Sequence, residues 1–360
     1  MTVAHTFVIA EAGVNHNGSV ERALELIEAS VHAGADAVKF QTFKAEDVVS
    51  RYARKADYQA RNTDERESQS EMVQKLELDL AAHERLVSRC RQRGIQFIST
   101  PFDLASVDML VNSLGIERIK IGSGEITHAP LLLRVAESGV PVILSTGMSS
   151  LGEIEEALGV MACGYLHPGL APSVAEFKLA YQSAQGQSLL EEKVVLLHCT
   201  TEYPAPLADV NLRAMDTMAA AFGLPVGLSD HTVGFSAAVA GVARGACVIE
   251  KHLTLDRSLP GPDHSASLEP DELAAMVRSI REVEEAIGSP RKLVAPSELK
   301  NLAIARKSLV ALRAIRVGEP FSVANLGVKR PGMGISPMRY WELLGVPANR
   351  DYSIDEVILP

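Results

Sequence analysis

This chain has few cysteines, no long apolar run and no excess of positive charge, and each absence narrows what it does. Its four cysteines (Cys90, Cys163, Cys199 and Cys247) show no CxxC spacing. Cys199 and Cys247 sit inside apolar strand-like runs, so reduced, buried thiols are expected. No stretch approaches the roughly 18 apolar residues of a membrane span. The opening residues MTVAHTFVIAEAG lack a basic region followed by a signal-length apolar segment, so a cytoplasmic protein without a membrane partner is expected. Formal net charge is −10, which disfavours nonspecific binding to nucleic acid or acidic lipid. An anionic substrate stays open, because basic residues in a cleft outweigh distant net charge.

What is present is a recurrence. Eight short apolar runs each end on polar or charged residues. They are TFVIAE (Glu11), AVKFQ (Lys39, Gln41), QFISTP (Thr100) and RIKIGSGE (Lys120, Ser123, Glu125), then PVILSTG (Ser145, Thr146), VVLLHCT (His198), PVGLSD (Ser229, with His231 beyond) and ACVIEKH (Lys251, His252). Stretches of helical periodicity lie between them. Strand and helix alternating eight times, with chemistry at the strand ends, predicts a TIM (β/α)8 barrel. The 360 residues, 47% of them hydrophobic, suffice for such a barrel and a small appendage.

The first helix, VERALELIEASVHAG, has Ser19 as its N-cap and Gly34 as its stop. Residues 44–75 are too long and polar for an ordinary βα loop and read as a substrate-covering lid. A second insertion, about residues 164–190, lengthens the path to the sixth strand. The barrel is expected over 1–287, a polar, proline-containing linker over 288–302, and a β-rich domain over 303–360.

His231 and His252 follow consecutive strands, which are neighbours in a barrel, so their imidazoles can converge on one divalent ion. Asp230 and Asp263 lie nearby in sequence, as ligands or loop anchors. Lys39 and Lys120, with Thr100, Ser123, Ser145 and Ser229, describe a phosphate or carboxylate cradle, and the GSG at 122–124 lets backbone N–H groups approach a ligand. Glu11 and Glu125 suit acid–base or orienting roles, or simple ion pairs. Either lysine also suits a Schiff base with a carbonyl substrate.

Taken in order, IAEAGVNHNG, AVKFQT, FISTPF, KIGSGE, ILSTGM, HCTTEYPAP, GLSDHT, IEKHLTLDRSLPGPDH and VKRPGMGISP resemble the sialic acid synthase family almost from end to end. The tail is similar to the antifreeze-like SAF domain of those enzymes. The resemblance implies condensation of phosphoenolpyruvate with an N-acylated hexosamine, N-acetylmannosamine or 2,4-diacetamido-2,4,6-trideoxymannose, to a nine-carbon α-keto acid and phosphate. It implies manganese or magnesium on His231 and His252. Lys39, Thr100, Lys120, Ser123, Ser145 and Ser229 would hold phosphoenolpyruvate, while Gln41, Tyr203, His252 and Asp263 would meet the sugar. Glu125 would assist proton transfer or water placement, and Glu11 matches the family's first-strand glutamate. Arg330 would reach the sugar in a partner subunit's barrel, making a domain-swapped homodimer. Thr201 stands where some members carry asparagine, and Asn301 and Ile304 also depart from some of them. The alternatives are a pyruvate-dependent Schiff-base lyase and a sugar-acid-binding barrel without turnover.

Overall fold

Side chains along a strand point alternately to its two faces, and both faces of these apolar runs need cover. A closed barrel with helices outside provides it. The computed structural model describes residues 5–50, 52–56, 59, 60, 63 and 67–360. Eight parallel strands close in sequence order: β1 (Phe7–Gly13), β2 (Ala37–Thr42), β3 (Gln96–Pro101), β4 (Ile119–Ile121), β5 (Val142–Ser145), β6 (Val194–Cys199), β7 (Val226–Asp230) and β8 (Val248–His252). β1 pairs with both β2 and β8, in registers that set Glu11 beside Lys39 and beside His252.

The two faces carry different layers. Outward residues such as Val8, Val38, Leu144, Leu196 and Ile249 pack under the helices in the main core. Inward residues Ile9, Ala37, Ile98, Ile143, Leu197 and Val248 fill the barrel's lower interior. Two residues further along several of the same strands, the inward positions turn polar.

Local signals place the helices. Ser19 caps Val20–Ala33 by accepting from the Arg22 N–H, and Gly34 ends that helix at φ 79°. Asp79 and Gly94 do the same for Leu80–Arg93. Within 44–75 the chain forms short helices at Ala45–Val48 and Gln69–Gln74, the second opened by a Ser68–Glu71 capping box. The proposed lid falls partly on residues 51, 57, 58, 61, 62 and 64–66, which lie outside the described residues. The second insertion is helical. Leu151–Leu166 runs into it, and Val174–Gln182 and Ala184–Lys193 complete it. Close packing there uses Gly159, where a Cβ would lie 3.2 Å from the Phe177 carbonyl oxygen.

Contacts divide the chain into Met1–Gly288 and Ser289–Pro360. In the second unit, β9 (Ser308–Ala311) and β10 (Leu326–Lys329) pair antiparallel. Leu309, Ala311, Ile315, Phe321, Leu326, Tyr352 and Ile358 form its own core. The polar stretch before β9 ends in a helix, Leu299–Ala305, tied by the Gly332 N–H to the Ala303 carbonyl at 2.7 Å. Among the described residues, no helix is long and apolar enough to cross a membrane.

Candidate active site

The inward alternation of seven of the eight strands brings polar side chains to one mouth, whereas His198 on β6 lies with Nε2 2.6 Å from the Val210 carbonyl. A cavity of about 280 Å³ there is lined by Glu11, Lys39, Gln41, Thr100, Lys120, Ser123, Ser145, Tyr203, Ser229, His231, His252 and Asp263. Of the barrel residues singled out from sequence, Glu125, Thr146, His198, Asp230 and Lys251 are not in that lining.

At the floor, two lysines and two carboxylates interlock. Lys39 Nζ lies 2.8 Å from Glu11 Oε1 and 3.7 Å from Glu250 Oε2, and donates to Thr100 Oγ1 at 3.1 Å. Lys120 Nζ stands 3.3 Å from Glu250 Oε1. The Ser229 hydroxyl donates to that same oxygen at 2.8 Å. All four charged groups are buried, so each one's protonation depends on the others. Burial raises the Glu11 carboxyl to about 7 against the opposing pull of Lys39. Burial also works to raise Glu250, but Lys120 and Lys39 outweigh it and hold that carboxyl at about 2. Lys39 is opposed by burial yet held above the usual lysine range by Glu11 and Glu250, whereas burial lowers Lys120. Two ammonium groups on this floor offer an incoming anion charged donors.

Hydroxyls and backbone complete this cradle. Ser123 Oγ accepts from the Gly147 N–H at 3.0 Å and lies 3.1 Å from Cys199 Sγ. Gly147 is required for that approach: a Cβ there would sit 2.3 Å from Thr201 Oγ1 and 2.7 Å from Ser123 Oγ. The side wall is apolar, with Val14, Phe43, Met72 and Phe102, and the 44–75 stretch also adds Gln59 and Gln69.

The two histidines meet at the β7–β8 side, ring centroids 5.5 Å apart, with the Tyr203 ring 4.2 Å from His231. The Thr200 carbonyl can only accept, so His231 Nδ1, 2.7 Å away, carries the ring proton. Ser229 Oγ is 3.2 Å from His231 Nε2 but gives its proton to Glu250, which leaves the Nε2 lone pair available. His252 Nδ1 is buried without a hydrogen-bond partner, 3.9 Å from Asp263 Oδ2. Burial lowers His231 to about 4 and His252 well below its ordinary value, while it raises Asp263 to about 6. Neutral imidazoles with an available lone pair and an unpartnered nitrogen fit two positions around a divalent cation. Among the described residues, no group of three or more His, Cys, Asp or Glu side chains is arranged to hold a metal, so water and substrate would supply the rest.

One placement, that of Glu125, differs from expectation. Glu125 sits in the short turn after β4, its carboxylate 2.9 Å from His128 Nδ1 and outside the cavity lining, because that turn carries the side chain away from the mouth. Asp230 points to the outer face of the barrel, where its partner is Lys251 and not a histidine. Arg330 belongs to the second unit, where its Nε donates to the Ala305 carbonyl at 3.0 Å. Glu250 is the residue that sequence reasoning missed. Strand alternation in VIEKH carried the signal: if His252 points inward, so does Glu250.

Comparison with known proteins agrees with this geometry. The NeuB family pattern matches residues 26–292, and the SAF domain pattern matches 306–360. An N,N'-diacetyllegionaminic acid synthase of Campylobacter jejuni subsp. jejuni serotype O:2 is 51% identical, with 98% of each chain covered. A protein of the same name from Legionella pneumophila subsp. pneumophila is 44% identical over 98% of this chain and 93% of that one. The solved N-acetylneuraminic acid (sialic acid) synthetase of Leptospira borgpetersenii serovar Hardjo-bovis, in complex with citrate, superposes with a TM-score of 0.66 at 33% identity, covering 83% of this chain and 90% of that one. A barrel whose strand ends converge in this way, matched along nearly its whole length, has one reading: the chain belongs to the NeuB family.

Proposed function

We propose that this chain condenses phosphoenolpyruvate with the open-chain form of an N-acylated hexosamine, and adds water, to give a nine-carbon α-keto acid and inorganic phosphate. The observation that carries this reading is one cavity with a lysine-and-hydroxyl cradle on its floor and a pair of neutral histidines beside it. Lys39 and Lys120, with Thr100, Ser123, Ser145 and Ser229, hold the phosphate and carboxylate of phosphoenolpyruvate. Gln41, Tyr203 and Asp263 orient the sugar. His231 and His252 would hold manganese or magnesium, which supplies Lewis acidity at the aldehyde oxygen when bound.

The C3 carbon of phosphoenolpyruvate then attacks the aldehyde carbon, and positive charge develops at C2. Glu250, ionised at about 2, faces that charge from the floor. Water adds at C2, and Glu11, at about 7, is matched to taking the water's proton near neutral pH. The tetrahedral intermediate expels phosphate by C–O cleavage, its charge offset by the two lysines. Glu125 is not part of this scheme, because its carboxylate is engaged by His128.

Two relatives are named N,N'-diacetyllegionaminic acid synthase, which favours 2,4-diacetamido-2,4,6-trideoxymannose over N-acetylmannosamine. The apolar wall of Val14, Phe43, Met72 and Phe102 suits a sugar bearing methyl and acetamido groups in place of hydroxyls. Arg330 from a second copy completes the sugar site in a domain-swapped homodimer. The lyase alternative needs a neutral lysine; Glu11 and Glu250 hold Lys39 charged, above the usual lysine range, so Lys120, which burial lowers, is the lysine that borohydride trapping tests.

The test is phosphate release from phosphoenolpyruvate and manganese with each hexosamine in turn. Release with the diacetamido sugar is expected. No release with either sugar, together with borohydride trapping of pyruvate on the chain, would overturn the synthase reading.

A further inference from the structure

On the outer face of the barrel, directly behind the two histidines, lies an ion pair that the chemistry above leaves unused. Each histidine follows a charged residue of opposite sign: Asp230 precedes His231, and Lys251 precedes His252. Alternation turns these charges away from the cavity, and the β7–β8 register sets Asp230 opposite Lys251. Lys251 Nζ lies 3.0 Å from Asp230 Oδ2, and both side chains are 0% exposed. The same ammonium donates to the Thr232 carbonyl at 2.6 Å. Asp230 Oδ1 in turn accepts from the Thr232 N–H at 2.9 Å and from its hydroxyl at 2.8 Å.

We propose that Lys251 and Asp230 are positioning residues that clamp β7 to β8 and thereby set the separation of the two metal-binding imidazoles. The proposal rests on reading His231 and His252 as the metal pair. Lys251 grips the residues on both sides of His231, through the Asp230 carboxylate and the Thr232 carbonyl, while its own chain neighbour is His252. Outward neighbours on these strands and on the flanking β6 and β1, such as Leu228, Ile249, Leu196 and Val8, are plain apolar core. A buried ion pair there is weak evidence for stability, since well-packed apolar residues stabilise as well or better. It does impose geometry: a desolvated charge tolerates little sliding away from its partner, whereas two apolar side chains slip past each other at small cost. Residues that orient metal ligands from behind typically change metal affinity by about 10–100-fold when removed.

The experiment measures Mn2+ binding to the full-length chain without substrates, by electron paramagnetic resonance, with a thermal melt alongside. The variants are Lys251→Met, Asp230→Asn, the two combined, and Asp230→Glu. The combined variant leaves no unpaired buried charge, so it keeps the test valid where a single variant fails to fold. Asp230→Glu keeps both charges but lengthens the clamp by one methylene. In the folded variants Mn2+ affinity is expected to fall roughly 10–100-fold. The KM for phosphoenolpyruvate should change far less, because its cradle is built mainly from the other strands. Unchanged Mn2+ affinity in a folded combined variant, or in Asp230→Glu, would overturn the clamp. Failure of the unaltered chain to bind Mn2+ would instead remove the metal reading, and the clamp with it.

Discussion

Two layers of the same strands, two residues apart, behave as different materials. The lower interior layer of Ile9, Ala37, Ile98, Ile143, Leu197 and Val248 is sealed hydrocarbon. The upper layer substitutes Glu11 for an aliphatic above Ile9, Lys39 above Ala37, Thr100 above Ile98, Ser145 above Ile143 and Glu250 above Val248. Both layers are equally buried. The lower one gains from removing apolar surface from water, while the upper one gives up that gain and is held by charges that must satisfy one another. A single barrel can therefore separate stability from chemistry by one step of the β period.

Substitutions in the two layers should have opposite signatures. The largest effect on turnover is expected from His252→Ala, at the mouth. Loss of a metal ligand should lower kcat/KM by roughly 10³-fold or more. Its melting temperature should stay within a few degrees, since the aliphatic layer below is left intact; a collapse in stability with proportionate activity would break the distinction. In the lower layer, Ile98→Ala should cost about 2–5 kcal/mol in denaturant unfolding. Below the transition its kcat should be close to that of the unaltered chain.

The comparison extends to the shell outside the barrel through His16, which is buried and held down to about 4 by burial, then by His83 and Arg22. The unfolded chain binds a proton at this position below about 6.5, and the folded chain only below about 4. Stability from this group is thus complete above pH 6.5 and is lost as pH falls through the window to 4. The loss is on the order of 3 kcal/mol. His16→Gln should flatten the acid limb of stability between pH 6.5 and 4. An unchanged slope would mean that the group is not held neutral in the fold.

The smallest effect is expected from Glu125→Gln. Its carboxylate faces His128, so kcat/KM should change by less than about 3-fold. A large loss with normal melting behaviour would return Glu125 to the reaction.

Much of this was legible before any coordinates. The apolar runs, the capping serine at Ser19 and the stop at Gly34 follow from local rules, and the barrel follows from their repetition. The cradle residues Lys39, Thr100, Lys120, Ser123, Ser145 and Ser229 were readable as basic or hydroxyl residues within or just after apolar runs. Glu250 was harder to see: it lies inside a strand, and only strand direction makes it a companion of His252. Glu125 is placed differently from what its motif suggests. It ends a motif, but the turn after β4 takes its side chain to His128.

What the sequence determined by itself is periodicity: which segments are strands, which are helices, and which strand ends carry chemistry. Those depend on neighbours within a few residues. Only the tertiary structure decided how charges from different strands pair. The meeting of Glu11 with Lys39, of Glu250 with Lys120 and of Asp230 with Lys251 depends on closure of the barrel and on register across strands far apart in the chain. Once buried, each charge takes its protonation from the partner that closure supplies, and no local pattern encodes that partner.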